Sequence, residues 1–574
     1  MSVRTPITPA KLAKAIEAAD DRSRRARELR KQAMQEYVGR YYNEDDGKQR
    51  PMNLVYRSCR VLQSHLTHNS PKYTISTDNA MIRGEALVLG MLVSPLMAGL
   101  DFARMDKMLL LDALLSPRAV VRMGMKSSAE TVTMEGRDLN PGQWYIRRVS
   151  PDDHVIDPRA NRPEEAAWEG DRYRVSKDAL LDSGVFDREA IERLATLPRR
   201  DRDAETRAEQ ISGKKADKDY ELIDTVELID VFFYDVAGSG RTVKVTMATE
   251  YETQEYLRVE EYEGPERGPY AWLEFDPIPD NISALPPVAG YREQSENVNN
   301  ILAKVLEQLA KSKRVPVVSE TTPTDEINAL RTAGDGDIWK TSDSSGARVL
   351  DMSFVSPEAL PIGQMFLQYA NTMAGNPDMM GGTGSGAKTA TEFSGLMSTA
   401  GGIIDALAGT HDAFLTKIGR HAMWYLVRDP LIKRGTTKRI PGGFQIPVVY
   451  DAEQREGDFE DFMLKVEPGS TIRIDENVKA KRLMELAAMV PQLVQTEMVT
   501  QGGFSARGTL KVLARRLGET EIDEMLPDPA LIQEAAMKYA AIPQVRQGVP
   551  GAGSQQTRPI DAMRSAMSAG VPAA

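Results

Sequence analysis

Cysteine is nearly absent: Cys59 is the only one in 574 residues. A disulfide framework within the chain is therefore excluded, and a reducing compartment is the expected setting. Histidine is scarce too, at five. No Ser-His-Asp, Cys-His or clustered metal-ligand pattern stands out, so no catalytic centre, cofactor or metal is expected. No run of 18 or more apolar residues occurs, so no membrane span is expected. Residues 1–31 are polar and lack the apolar core of a secretory signal. Cations are outnumbered, with 83 acidic side chains against 72 lysines and arginines and a net charge of −11. That balance argues against a surface that coats nucleic acid. It is compatible with guiding DNA, because a wall that repels phosphates lets them slide where one that binds them stalls.

What is present describes an ordinary globular chain, 41% hydrophobic and 27% charged, long enough for two to four structural units. A first helix is predicted from Pro9 to Tyr41. Its Arg22, Arg24, Arg25, Arg27, Arg30 and Lys31 read as a solvated basic face balanced by Glu17, Asp20, Asp21 and Glu28. A second helix is predicted over Asn53 to Leu66, before an extended stretch at Pro71 to Ile75. An apolar helical region follows from Met81 to Leu115. The pattern then switches to strands over Ala119–Met125, Glu130–Met134 and Trp144–Val149. Residues 148–158 form a turn-rich loop in which Asp152, Asp153, His154 and Asp157 could face a metal, but Ser-Pro-Asp and Asp-Pro are ordinary turn chemistry. His65 and His68 lack a third ligand nearby and read as a helix-surface pair.

Residues 197–219 are charged, poor in apolar side chains, and read as an insert. Strands are predicted over Val226–Tyr234 and Thr242–Ala248 as a hairpin, with another near Tyr256–Tyr262. The centre of the chain is the most informative part. Glu293 to Lys313 places Val298, Ile301, Leu302, Val305 and Leu309 on one helical face, leaving the others polar. A partner helix after Pro357 repeats the design with Ile362, Met365, Phe366, Tyr369 and Met373, and stops at Gly375-Asn376-Pro377. From Thr391 to about Arg428 runs a long apolar-periodic helix, with Thr391 or Thr389 as its cap and Gly401-Gly402 as its expected kink. Strands return over Gly442–Tyr450 and Lys465–Ile474, then helices over Asn477–Leu493 and Arg507–Leu517. From Gln544 the composition predicts disorder.

The loop Gly381-Gly382-Thr383-Gly384-Ser385-Gly386-Ala387-Lys388-Thr389 opens the long helix like a phosphate-binding loop. A Walker A loop needs its lysine directly after the last glycine, and here Ala387 intervenes. A nucleotide-binding ATPase using residues 381–389 is the alternative function. A mobile glycine loop carrying one cation fits the residues better.

The order of proline-rich lead-in, helix, small β/α insert, helix, glycine loop and long helix is similar to that of the portal proteins of tailed bacteriophages. Pro286-Pro287-Val288-Ala289-Gly290-Tyr291-Arg292-Glu293-Gln294 with Asn297 and Asn300 looks like the start of a portal's first stem helix. Lys388-Thr389-Ala390-Thr391-Glu392 looks like the signature that opens its long helix. The resemblance implies an α+β, predominantly helical fold of portal type, with wing, stem, clip and crown and one very long helix. By position, residues 1–290 correspond to the wing, 291–313 to the first stem helix, 314–356 to the clip and 357–375 to the second stem helix. Residues 376–390 correspond to the tunnel loop, 391–428 to the long helix, 429–476 to wing strands, 477–543 to the crown and 544–574 to a disordered tail.

The function implied is a ring, usually of twelve subunits, at one capsid vertex of the virion, assembled in the bacterial host cytoplasm. It would be the channel for double-stranded DNA packaging and ejection. The partners implied are further copies of the chain, double-stranded DNA, the terminase large subunit, head-to-tail adaptor and tail proteins, and the major capsid and scaffolding proteins, with no membrane. Lys388, Lys304, Lys311 and Lys313 are the candidates for facing DNA, against the plain reading of the stem lysines as solubilising cations. Val317, Asp325, Trp339, Lys340 and Arg348 are the candidates for clip docking or contact between subunits.

Overall fold

A computed structural model describes residues 7–39, 52–67, 71–126, 132–134, 137–139, 143–194, 224–234, 241–249, 255–311, 313–318, 320, 322–332, 347–352, 358–375, 390–429, 431–439, 445–451 and 455–466, with isolated helical residues between 484 and 513. The predicted insert at 197–219, the glycine loop, most of the crown and the C-terminal tail lie outside the described residues. Helix and sheet are mixed throughout.

Helix α1 (Pro9–Val38) starts on a proline, whose fixed φ suits the first helical position, and ends at Gly39 with φ +64°. Its Leu12, Ala13, Ile16 and Ala19 are buried against Trp168, Ile229, Val231 and Val245. The predicted solvated basic face holds in part: Arg22, Arg24, Arg25 and Lys31 are exposed, with Arg25 3.7 Å from Glu28, whereas Arg27 and Arg30 are partly covered. Arg27 donates to Asp20 at 2.7 Å, and Arg172 pairs with the same carboxylate. Arg30, with its side chain only 11% exposed, pairs with Asp152 and lies 3.6 Å from Asp112. Arg27 thus keeps a partner on its own helix, whereas the partners of Arg30 come from distant segments.

Helix α2 (Leu54–Leu66) is capped by Asn53, whose side chain accepts from Tyr56 N at 2.9 Å. The single apolar region predicted over 81–115 is two helices, α3 (Arg83–Ala98) and α4 (Phe102–Leu115). Asp101 between them adopts left-handed geometry, φ 50°, which aspartate tolerates better than most residues. The segment Ala80–Ala98 is long and apolar enough, by length and composition, to cross a membrane. Half of that window is buried inside the protein, with Val88, Leu89, Val93 and Met97 in the main core.

The strands are β1 (Tyr73–Ser76), β2 (Ala119–Lys126), β3 (Val132–Met134), β4 (Arg137–Leu139), β5 (Gln143–Val149), β6 (His154–Ile156), β7 (Trp168–Ser176), β8 (Thr225–Phe233), β9 (Val243–Ala248), β10 (Tyr256–Glu261) and β11 (Tyr270–Leu273). Two short helices, α5 (Lys177–Ser183) and α6 (Arg188–Arg193), follow β7. The main sheet has the antiparallel order β10-β9-β8-β7-β6, and β11-β2-β5 form a second sheet. β7 and β11 have no counterpart in the sequence reading. In the turn-rich segment over 148–158, His154 and Asp157 are tied to protein groups. His154 Nε2 is 3.1 Å from Glu169 Oε1, and Asp157 accepts from Arg159 N at 3.0 Å.

Farther along come α7 (Arg292–Lys311), β12 (Lys313–Val318), α8 (Thr324–Thr332), β13 (Ala347–Met352), α9 (Ala359–Met373) and α10 (Ala390–Arg428). β14 (Arg434–Arg439), β15 (Gln445–Tyr450) and β16 (Met463–Val466) complete the described elements. Helix α10 has 39 residues and passes through Gly401 and Gly402 without interruption. Thr391 lies inside its first turn, so it is not the cap. Its Phe414, Leu415, Ile418, Ala422, Met423 and Leu426 are buried in the main core beside residues of α2, α3 and α4. Beneath it β1 pairs with β16, Tyr73 opposite Val466, which joins chain segments almost 400 residues apart.

Candidate channel and docking elements

The centre of the chain builds a helix pair capped by a two-stranded ladder. α7 ends at Lys311 and β12 begins at Lys313, so the strand leaves directly from the helix end. β12 pairs antiparallel with β13 in a register that sets Lys313 opposite Met352 and Val317 opposite Arg348. Helix α8 lies between the two strands in sequence. It carries Asp325 and Glu326 in its first turn and Arg331 in its last, each sign where the helix dipole favours it. α9 then returns to pack along α7.

The foot of α7 is fixed by specific contacts. Arg292 Nε donates to Glu36 Oε1 of α1 at 2.7 Å, with both side chains largely covered. Met52 N donates to the Asn299 side chain at 2.9 Å. Tyr291, just before the helix, is 2% exposed, and burial raises its phenol well above the usual range. Cys59 is buried in the same core cluster, and burial pushes its thiol up to about 12, so it is an inert packing group.

The two helices do not pack as their sequences suggested. On α7, Val298 and Val305 are buried, whereas Leu309 of the same stripe is 54% exposed and Leu306 is 48% exposed. On α9 the buried positions are Gly363 and Ala370. A Cβ added at Gly363 would sit 3.5 Å from Ile301 Cγ2, so α7 approaches α9 across this small-residue seam. The stripe the sequence singled out faces away. Ile362 is 43% exposed, Met365 44%, Tyr369 55% and Met373 56%. The expectation that the outer faces of the pair are polar is therefore overturned for α9. The signal that could have found the seam is the spacing of Gly363 and Ala370, seven residues apart and so on one helical side.

The predicted site residues scatter. Lys304 and Lys311 are both exposed and one heptad apart on α7. Lys311 Nζ is 2.5 Å from Glu307 Oε1, and this partner holds the Glu307 carboxyl below its usual value. Lys311 thus already has an anion beside it, and Lys304 is the more available cation. Lys313, Val317 and Arg348 lie in the ladder, where only their backbone positions are described. Asp325 is exposed at the start of α8. Lys388, Trp339 and Lys340 lie outside the described residues.

No individual curated protein matches the chain by sequence. The model of the phage SU10 portal protein family matches residues 112–549, which take in both sheets, the helix pair, the ladder and α10. Portal proteins of this kind are structural, form oligomeric rings and belong to the capsid vertex of the virion. A helix pair with an unclothed apolar stripe and no chemistry of its own suits such a part, and the chain belongs to the phage SU10 portal protein family.

Proposed function

We propose that copies of this chain close into a ring that conducts double-stranded DNA into and out of the capsid. In this reading α7 and α9 are the stem around the channel, β12, α8 and β13 are the clip, and residues 376–390 narrow the bore. Residues 1–290 with 429–476 form the wing, α10 joins it to a crown at 477–543, and twelve copies complete the ring. The clip is the docking surface for the terminase large subunit and later for adaptor and tail proteins. The capsid and scaffolding proteins contact the outside, and assembly takes place in the host cytoplasm. Lys304 and Lys388, repeated around the ring, centre the duplex through weak contacts that salt readily screens. The nucleotide-binding alternative gains no support, because residues 381–389 lie outside the described residues and the family is structural.

The observation that carries this reading is the apolar stripe on α9, with Ile362, Met365, Tyr369 and Met373 each 43–56% exposed in the single chain. Contiguous apolar surface of this kind marks an interaction site. Completing the burial of half-exposed side chains of this size contributes about 1 kcal/mol each. Rotational repetition then multiplies one heterologous contact into a closed ring. Met365→Lys with Tyr369→Lys places two charges in that contact. The double variant is expected to keep parental helicity by circular dichroism and to run as a monomer by mass photometry, at concentrations where the parent forms rings. Rings of parental size and stability from the variant would refute this assignment.

A further inference from the structure

Away from the helix pair, a groove of about 1200 Å³ runs between α10 and the segment that follows β11. Small-molecule pockets span roughly 300–1,000 Å³, so this one has room for a protein loop. Its apolar part includes Trp424 and Phe459, both half-buried, and Ile278, which is 41% exposed. The wall made by α10 contributes cations and no carboxylate. Lys417 and Arg420, three residues apart and both exposed, stand on it. Arg420 lies 5.3 Å from the Phe459 ring centroid. Neither cation has a carboxylate within 4.0 Å among the described residues. Burial pushes the Glu274 carboxyl up, while Arg118 and, from beyond that distance, Lys417 pull it back. On the other walls Glu169 receives Trp272 Nε1 at 2.9 Å and Tyr234 OH at 3.2 Å, and Asp280 lies 3.9 Å from Arg162.

The complementary piece lies at the far end of the same strand. β7 starts beside the groove, where Glu169 lines it, and ends at Ser176, where α5 begins. From Glu169 to Ser176 the strand covers about 23 Å at ~3.3 Å per residue. There α5 and α6 pack together as a knob that turns at Gly184, whose φ of 61° suits glycine. Val185, the next residue, is 48% exposed. Asp178, Asp182 and Glu189 of the knob are exposed, and none has a cation within 4.0 Å among the described residues. An apolar tip flanked by free acids thus stands at one end of β7, and an apolar groove with two free cations at the other. A single chain cannot join them, because the strand between holds them apart.

We propose that the α5–α6 knob of one copy seats in the α10 groove of the next, with its acids against Lys417 and Arg420 and Val185 among the apolar groups. This inference rests on the ring reading and adds a second contact to it, on other elements than the α9 stripe. Two different surfaces at opposite ends of one strand make a head-to-tail contact, the kind that rotation repeats around a ring. Exposed ion pairs add little strength, but they fix register and reject misaligned partners.

The test reverses charge on each side and then on both, in the full chain. Lys417→Glu with Arg420→Glu makes each copy more acidic, which by net charge alone weakens assembly. Asp178→Lys with Asp182→Lys makes each copy less acidic, which by net charge alone strengthens it. The knob–groove contact instead predicts that both double variants need about tenfold higher concentration to form rings by mass photometry, since like charges then face each other. The quadruple variant, with the charges exchanged and the parental net charge restored, is expected to assemble like the parent. Circular dichroism confirms that each variant folds. A knob variant that assembles as well as the parent overturns the contact, and so does a quadruple variant no better than the doubles. A second measurement needs no charge reversal. Copies carrying Asp182→Cys are mixed with copies carrying Lys417→Cys and treated with a short bismaleimide, the native Cys59 being buried and inert. Cross-linked pairs are expected from the mixture and from neither variant alone. Rings without cross-links overturn this contact and leave the ring reading standing, whereas a parent that never assembles sinks the ring reading itself.

Discussion

Two histidines on α10 behave in opposite ways because of what surrounds each ring. His411 Nε2 is 2.9 Å from Asp106 Oδ1, and both side chains are 1% exposed. Burial pulls the His411 pKa down. The Asp106 carboxylate, its hydrogen bond and Asp412 push it up further, so it ends above the ordinary value. Burial drives His421 down to about 4, with Lys417 acting in the same direction. The linkage follows from these signs. Stability from the His411 pair is complete below the unfolded value of about 6.5 and is lost as pH rises through its raised folded value. Stability from neutral His421 is complete above about 6.5 and declines as pH falls toward 4. His411→Asn leaves the Asp106 charge buried without its partner, a loss of about 3–5 kcal/mol where His411 is protonated. The gap in Tm between parent and variant is expected to be widest near pH 6 and to narrow toward pH 9. A gap that stays flat across this range would show that the pair is not ionised in the folded state.

At the scale of elements, α10 is held by closeness as much as by apolar burial. A Cβ on Gly419 would lie 2.4 Å from Tyr73 Cε1 and 2.9 Å from Leu464 Cδ2. The Tyr73 ring cannot swing aside, because it is buried and its hydroxyl donates to Leu415 O at 3.1 Å. Gly419→Ala is therefore expected to destabilise by about 1–2 kcal/mol, overpacking outweighing the helix propensity that alanine gains. Gly409 has nothing within 4 Å of an added Cβ, so Gly409→Ala on the same helix should be neutral or stabilising by up to about 1 kcal/mol. Urea unfolding of the two variants separates the effects, and similar shifts would remove the close-packing account.

The same elements show what the sequence could express. Periodicity located α2, α7 and α9 to within a few residues, because one-sided burial writes a repeat of about 3.6 into local sequence. It misjudged which side of α9 packs inward. An apolar stripe destined for another subunit reads the same as one destined for the core, and the inward face is made of Gly363 and Ala370, which carry little hydropathy signal. The break at Asp101 was hidden because both flanking helices are buried and apolar. Pairings such as His411 with Asp106 or β1 with β16 join residues more than 300 positions apart, a relation no local pattern carries. Of the candidate site, only a small β/α insert between the two helices was legible, not the register of its ladder. Lys311's ion pair was legible only in hindsight, from the four-residue spacing to Glu307.

At the scale of the whole molecule, charge and apolar surface make opposing demands. Each copy carries a net charge of −11, so subunits brought together in a ring repel one another. In the ring proposed above the α9 stripe supplies the attraction through apolar burial, which salt does not screen. Repulsion between exposed charges fades as the screening length falls from about 30 Å at 0.01 M salt to about 10 Å at 0.1 M. Raising sodium chloride from 10 mM to 500 mM is therefore expected to lower the concentration at which rings form, as followed by mass photometry. Binding of short duplex DNA to the same rings should move the other way and weaken with salt, since the proposed channel holds the duplex by a few lysine–phosphate contacts. Rings that dissolve as salt rises would mean that ion pairs, not the apolar stripe, hold the subunits together.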